Sequence, residues 1–155
     1  MTNSYPRRAT QSGVGLIEVL VAVLVLSIGF LGVAALEARS LSTNNSAMAR
    51  SMATISSYSI LDAMRADVGN AKAGVYNTAS PLSAASCPAA GTSLASAQLA
   101  QWCNQLGTNF GKVSTTTGSI QCSAAGLCTV TVSYDDSRAG WGGSTSQKVA
   151  TKGML

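Results

Sequence analysis

The chain has 155 residues and a formal charge of +4, and it contains no histidine. That excludes a histidine-based catalytic triad, a histidine-ligated zinc site and haem ligation through histidine. The basic residues are scattered, giving no nucleic-acid contact stripe, and valine, leucine and isoleucine crowd into the first third ahead of a remainder rich in Ser, Thr, Ala, Gly and Asn.

Residues 1–13 form a polar leader with Arg7 and Arg8, no acid and no hydrophobic region. A secretory signal places its apolar stretch ahead of the cleavage site and loses it, whereas here the polar leader precedes the apolar run. Basic residues near a span resist translocation, so Arg7 and Arg8 are expected to stay cytoplasmic. On the far side the nearest base is Arg39, with Glu37 close by, so the chain after Leu36 is expected to face the periplasm or exterior. Arg7-Arg8 also admits a twin-arginine reading, which the length and strong hydrophobicity of the following run argue against.

Residues 14–36 are apolar except for one ionisable side chain, Glu18. At about 1.5 Å per residue, a helix of this length crosses a bilayer core of roughly 30 Å. A carboxylate within a span costs about 2.5–3.5 kcal/mol near its centre and is a functional hypothesis by default. The alternative is that Glu18 lies near the cytoplasmic end and snorkels to the interface without a role.

The stretch Gly13-Val14-Gly15-Leu16-Ile17-Glu18-Val19-Leu20-Val21-Ala22 resembles the processing site of type IV prepilins. The resemblance implies that a membrane prepilin peptidase cuts after Gly13 and methylates the new amino terminus at Val14. It also implies that Glu18 is the carboxylate by which subunits assemble. In a fibre without water a buried carboxylate needs a positive partner, and the Val14 amino group of a neighbouring subunit would supply it. Two positions depart from the pattern: Val14 stands where phenylalanine is usual, and Gly15 where Thr or Ser is usual. The longer run from Gly15 to Glu37 resembles the PilV family of minor pilins, type IV pilus modification proteins. Tyr134-Asp135-Asp136-Ser137-Arg138 is similar to an aromatic-Asp-Asp-Ser-Arg element near that family's C terminus. The processing motif itself is shared with secretion pseudopilins. Gly29 and Gly32, with Ser27, permit close helix approach in a membrane, although glycine costs about 0.8–1 kcal/mol against alanine in a helix in water. The resemblance implies that the helix can loosen there.

Residues 37–69 contain no proline and continue as the periplasmic half of one long helix, with Gly69 as its expected stop. Leu41, Met48, Met52 and Ile55 share one face, and Ile60, Leu61, Met64 and Val68 another. This fits a helix whose buried side rotates as it joins the globular part, or equally a local unwinding there, with the methionines as core filler. The polar run Ser40–Ser46 is a poor helix former and the expected weak turn. Residues 70–112 read as a connecting loop with one short helix, capped by Thr92 or Ser93 and ended by Gly107. Leu99, Trp102, Cys103 and Leu106 form its anchoring face.

Residues 113–155 read as an antiparallel sheet. Cys128, Val130, Val132 and Tyr134 alternate with polar residues as a half-buried strand. Ile120 and Cys122 lead into it through a turn at Ser123–Gly126. Asp135-Asp136 is expected in a turn with solvated carboxylates rather than a calcium site. Gly140-Trp141-Gly142-Gly143 is a flexible connection with Trp141 as a candidate contact residue, and Lys148–Leu155 is at best a weak edge strand. The even cysteine count beside an export signal favours disulfides. A Cys87–Cys103 bridge would staple the loop onto the helix, and Cys122 and Cys128 could cross-link the hairpin. Four cysteines nevertheless allow three pairings, and the lack of Cys-x-x-Cys knuckles argues against a metal site.

The expected fold is α+β and type IV pilin-like, a long N-terminal membrane helix packed on a small antiparallel sheet. No nucleophile–base pair or phosphate-cradling loop is visible, so no enzymatic activity and no cofactor are expected. The resemblance implies a minor pilin that primes assembly and joins the pilus or its tip. Its partners would be prepilin peptidase, other minor pilins, the major pilin, the inner-membrane assembly machinery and, before assembly, membrane lipid. It implies a single-pass inner-membrane protein with a periplasmic C-terminal domain that then enters an extracellular pilus. The alternatives are a minor pseudopilin of type II secretion, a binding domain secreted after cleavage at Val33-Ala34-Ala35, and an uncleaved membrane anchor bearing a binding head.

Overall fold

The computed structural model describes residues 13–139 and 143–155. Arg7, Arg8 and Trp141 lie outside the described residues. The chain divides into two units, Met1–Ala38 and Arg39–Leu155. The first helix, α1, covers Leu16–Ala66 without interruption, the polar run Ser40–Ser46 included. In the first unit it is a bare apolar helix: every residue from 13 to 38 is exposed.

The second unit holds the core. The remaining turns of α1 pack with α2 (Val68–Lys72), α3 (Leu94–Phe110) and a four-stranded sheet. The strands are β1 (Leu82–Ser83), β2 (Thr117–Cys122), β3 (Leu127–Tyr134) and β4 (Gln147–Met154). They lie in the order β1-β2-β3-β4, each antiparallel to the next. Ile60, Leu61 and Met64 of α1 meet Trp102 and Leu106 of α3 and Ile120, Val130 and Val132 of the sheet. The inward alternation of β3 is therefore as its sequence predicts.

Several expectations are corrected. Leu41, Met48, Met52 and Ile55 are exposed, and only Met64 of the helix methionines fills the core. The buried face of α1 is built from Ala53, Ser56, Ser57, Ile60, Leu61 and Met64, so the second expected face is buried at Ile60, Leu61 and Met64, whereas Val68 is exposed and belongs to α2. The Trp102 indole N–H donates to the Ser56 carbonyl at 2.9 Å. Gly69 does not stop α1. The break comes at Asp67, held off helical geometry while its carboxylate accepts from Asn70 and Tyr76. Gly69 lies inside α2.

Helix α3 begins at the Ser93 cap, whose hydroxyl accepts from the Ser96 N–H, but it runs through Gly107 to Gly111 at φ +99°. Gly107 is kept small by a neighbour: an added Cβ would lie 3.6 Å from the Ala84 Cβ and 2.9 Å from Lys112 Cγ. Gly118 plays the same part in β2, where a Cβ would come within 2.5 Å of the Trp102 ring. β4 pairs with β3 over its whole length and is a full strand rather than a weak one.

Candidate functional site

The N-terminal stretch is built by the first turn of α1. The Gly15 carbonyl accepts from the N–H groups of Glu18 and Val19 at 3.0 and 3.3 Å, so the helix starts three residues after Gly13, at Leu16. Glu18 lies in that first turn, where a carboxylate is favoured by the partial positive charge of the helix N terminus. Val14 and Glu18 lie beside Val19, Ala22, Val23 and Leu26, lining one shallow apolar groove. Among the described residues the one ion pair is Arg65–Asp62, so none of them supplies Glu18 with a counter-charge. Val14 is 70% exposed. The geometry places an acid and the residue predicted to carry a new amino terminus one turn apart on a helix with nothing packed on it.

α1 is long and apolar enough to cross a membrane. Within it the Ser27 hydroxyl donates back to the Val23 carbonyl at 2.7 Å, which keeps that polar group satisfied in an apolar medium. Gly29 and Gly32 sit in unbroken helix, and a Cβ added at either would meet nothing within 4 Å. No contact in the isolated subunit explains why these positions are glycine.

In the second unit Cys87 is joined to Cys103 and Cys122 to Cys128. The first bridge ties the loop to α3, and the second spans the register pair that closes the β2–β3 hairpin. Asp136 corrects the sequence reading. It is buried and accepts from the Ser46 hydroxyl, while its N–H donates to the Ser144 carbonyl at 2.8 Å. Asp135 remains exposed, and the Ser137 backbone N–H, helped by the Ser137 hydroxyl and Arg138, lowers its pKa. The Ser42 hydroxyl donates to the Arg138 carbonyl at 2.9 Å. The stretch 134–138 is thus clasped to the polar part of α1. Sequence reasoning missed this role of Ser42 and Ser46, although hydroxyls every four residues on one helix face are the kind of signal that marks it.

The comparisons bear on the N-terminal stretch. Residues 8–34 match the prokaryotic N-terminal methylation motif. No curated protein and no solved structure matches the chain. The motif indicates a type IV pilin-like or pseudopilin-like protein, which implies processing by prepilin peptidase and assembly into a pilus or pseudopilus.

Proposed function

We propose that this chain is a minor pilin of the type IV pilus, with a structural rather than catalytic role. The observation that carries the reading is the N-terminal stretch: Gly13, Val14 and Glu18, in the methylation motif, at the head of an exposed membrane-length helix. Cleavage after Gly13 frees the Val14 amino group, which is then methylated. The helix holds the subunit in the inner membrane with its C-terminal domain in the periplasm. As subunits enter the fibre, Glu18 leaves the interface and pairs with the Val14 amino group of a neighbour, because a desolvated carboxylate is tolerated only when paired. Gly29 and Gly32 supply close approach or local unwinding in that packing. The resemblance of residues 15–37 and 134–138 to the PilV family supports a low-abundance subunit that primes assembly beside other minor pilins and sits in the pilus or at its tip.

The second reading is a minor pseudopilin of type II secretion, favoured by the motif being common to both classes. Loss of pili on deletion supports the first, and loss of secretion with pili intact supports the second. The direct test of processing is the N-terminal residue and intact mass of the protein from native membranes. A chain starting at methylated Val14 is expected. A chain starting at Leu36, or one retaining Met1, overturns the assembly role of Glu18. A Gly13 substitution that blocks cleavage is expected to leave the leader attached and the subunit in the inner membrane.

A further inference from the structure

The two edges of the sheet are finished differently. Along β2 the short strand β1 pairs only with Thr117 and Gly118. Side chains and one loop close the rest. Thr78 donates its backbone N–H to the Ile120 carbonyl, and its hydroxyl accepts from the Ile120 N–H, both at 3.0 Å. The Asn77 amide accepts from the Cys122 N–H at 2.6 Å and donates to the Cys122 carbonyl at 3.1 Å. These groups occupy the hydrogen-bonding positions that another strand would use.

The β4 edge has no such cover. Leu155 donates its N–H to the Gly126 carbonyl, in register with the pairing of Met154 to Leu127. The alternation of an antiparallel ladder then turns the N–H and C=O of Gln147, Val149, Thr151 and Gly153 toward β3. It turns those of Lys148, Ala150, Lys152 and Met154 outward, and no backbone partner for them occurs among the described residues. The strand is eight residues long, contains no proline and pairs residue for residue without a bulge. Long open edges are normally blunted by cover, short length, proline, bulges or charge; the β2 edge is covered, whereas β4 carries charge alone, in Lys148 and Lys152.

We propose that the β4 edge docks an extended strand of another protein that carries acidic side chains opposite Lys148 and Lys152. The lysines decide the occupant. Their side chains lie exposed on one face of the strand, four residues apart. A second copy pairing antiparallel about Ala150 sets Lys148 against Lys152 of the copy, and pairing about Lys148 sets that lysine against itself; pairing about Thr151 avoids this but sets the lysines against Met154 and Ala150, since the outward residues of β4 include no acid. Like charges directly opposite one another destabilise a strand pair, whereas opposite charges stabilise it. The edge therefore favours, over its own copy, a strand with Asp or Glu at two positions four apart, added by main-chain hydrogen bonds.

The test uses the full chain in detergent micelles and a labelled peptide of about ten residues, a typical strand length. The peptide alternates Val and Thr, with Glu at two outward positions four apart. Its control carries Lys at both. The Glu peptide is expected to bind about tenfold tighter at low salt, from two favourable cross-strand pairs. It is also expected to slow hydrogen exchange at the amides of Lys148, Ala150, Lys152 and Met154. The double variant Lys148→Glu with Lys152→Glu is expected to reverse the preference. Ala150→Pro, which removes one outward N–H and spares the bonds to β3, is expected to abolish the protection. If Ala150→Pro does not fold, the charge-reversal variant carries the test alone. Equal affinity for the two peptides, no binding, or binding that leaves those four amides unprotected overturns the proposal. So does concentration-dependent protection of those amides without peptide, which would make the edge a homodimer contact.

Discussion

Tyr76 has one hydroxyl proton and two acceptors, the Asp67 carboxylate at 3.0 Å and the side-chain oxygen of Gln98. It is fully buried, and Asp67 also holds Asn70 at the break between α1 and α2. Burial, and then the neighbouring carboxylate, push its pKa up to about 12. An unfolded tyrosine loses its proton near pH 10. Between about pH 10 and 12 the unfolded chain therefore binds fewer protons than the folded one, so stability falls as pH rises through that window. Below about pH 10 the contribution is fully present. Tyr134 is raised in the same direction, by burial and then Asp136, with Arg50 opposing. Urea unfolding followed from pH 8 to 12 is expected to show this alkaline loss, and Tyr76→Phe to make it shallower while leaving the Tyr134 part. An unchanged slope in that variant would show that the Tyr76 proton is not its source.

At the scale of elements, the two disulfides close loops of different length, 16 residues for Cys87–Cys103 and 6 for Cys122–Cys128. By loop-closure entropy the longer bridge is worth about 3 kcal/mol, somewhat more than the shorter one. It also fixes a segment with little core of its own. The shorter one repeats what the hairpin register already imposes. Paired Ser variants of Cys87 and Cys103 are expected to lower Tm more than paired Ser variants of Cys122 and Cys128, read by calorimetry. The reverse order would place the weak point in the hairpin. The elements differ in how legible they were. β3 could be read because its alternation coincides with the burial of Cys128, Val130, Val132 and Tyr134 on one face, although Ser133 on the other is buried as well. The α3 cap could be read because Ser93 satisfies an orphan N–H locally. β1 could not, since two residues carry no period and their pairing is set by β2. For α1 the periodicity showed that Leu41, Met48, Met52 and Ile55 share a face, but not which face meets the sheet. The buried one is rich in Ala and Ser, which hydropathy patterns do not flag. At the candidate site Val14 and Glu18 were legible as a local motif. Asp136 was not, because its partner Ser46 is 90 residues away in sequence.

At the scale of the whole molecule the two units are stabilised by different media. Residues 13–38 have every side chain exposed. Burying apolar side chains is worth about 25 cal/mol per Å², and the described residues supply none of that burial to this stretch, which is long and apolar enough to find it in a membrane. Arg39–Leu155 holds the core cluster, both disulfides and the entire sheet. It also contains the hydroxyl clasp from Ser42 and Ser46 to residues 136–138. A chain beginning at Arg39 and exported to an oxidising compartment is therefore expected to fold alone. It should stay in solution without detergent, show one cooperative thermal transition and contain no free thiol. Adding Asp136→Asn to it removes the charge from the acceptor of Ser46 and is expected to lower Tm, because hydrogen bonds to a charged group are worth about 1.5–3 kcal/mol against 0.5–1.5 for neutral ones. If the truncated chain instead shows no cooperative transition, turns of α1 ahead of Arg39 are needed to fold the second unit, and its stability cannot be assigned to its own core. If it folds but aggregates, the exposed face of Leu41, Met48, Met52 and Ile55 is the first place to substitute. Polar residues there should restore solubility without moving Tm, since none of these side chains is part of the core.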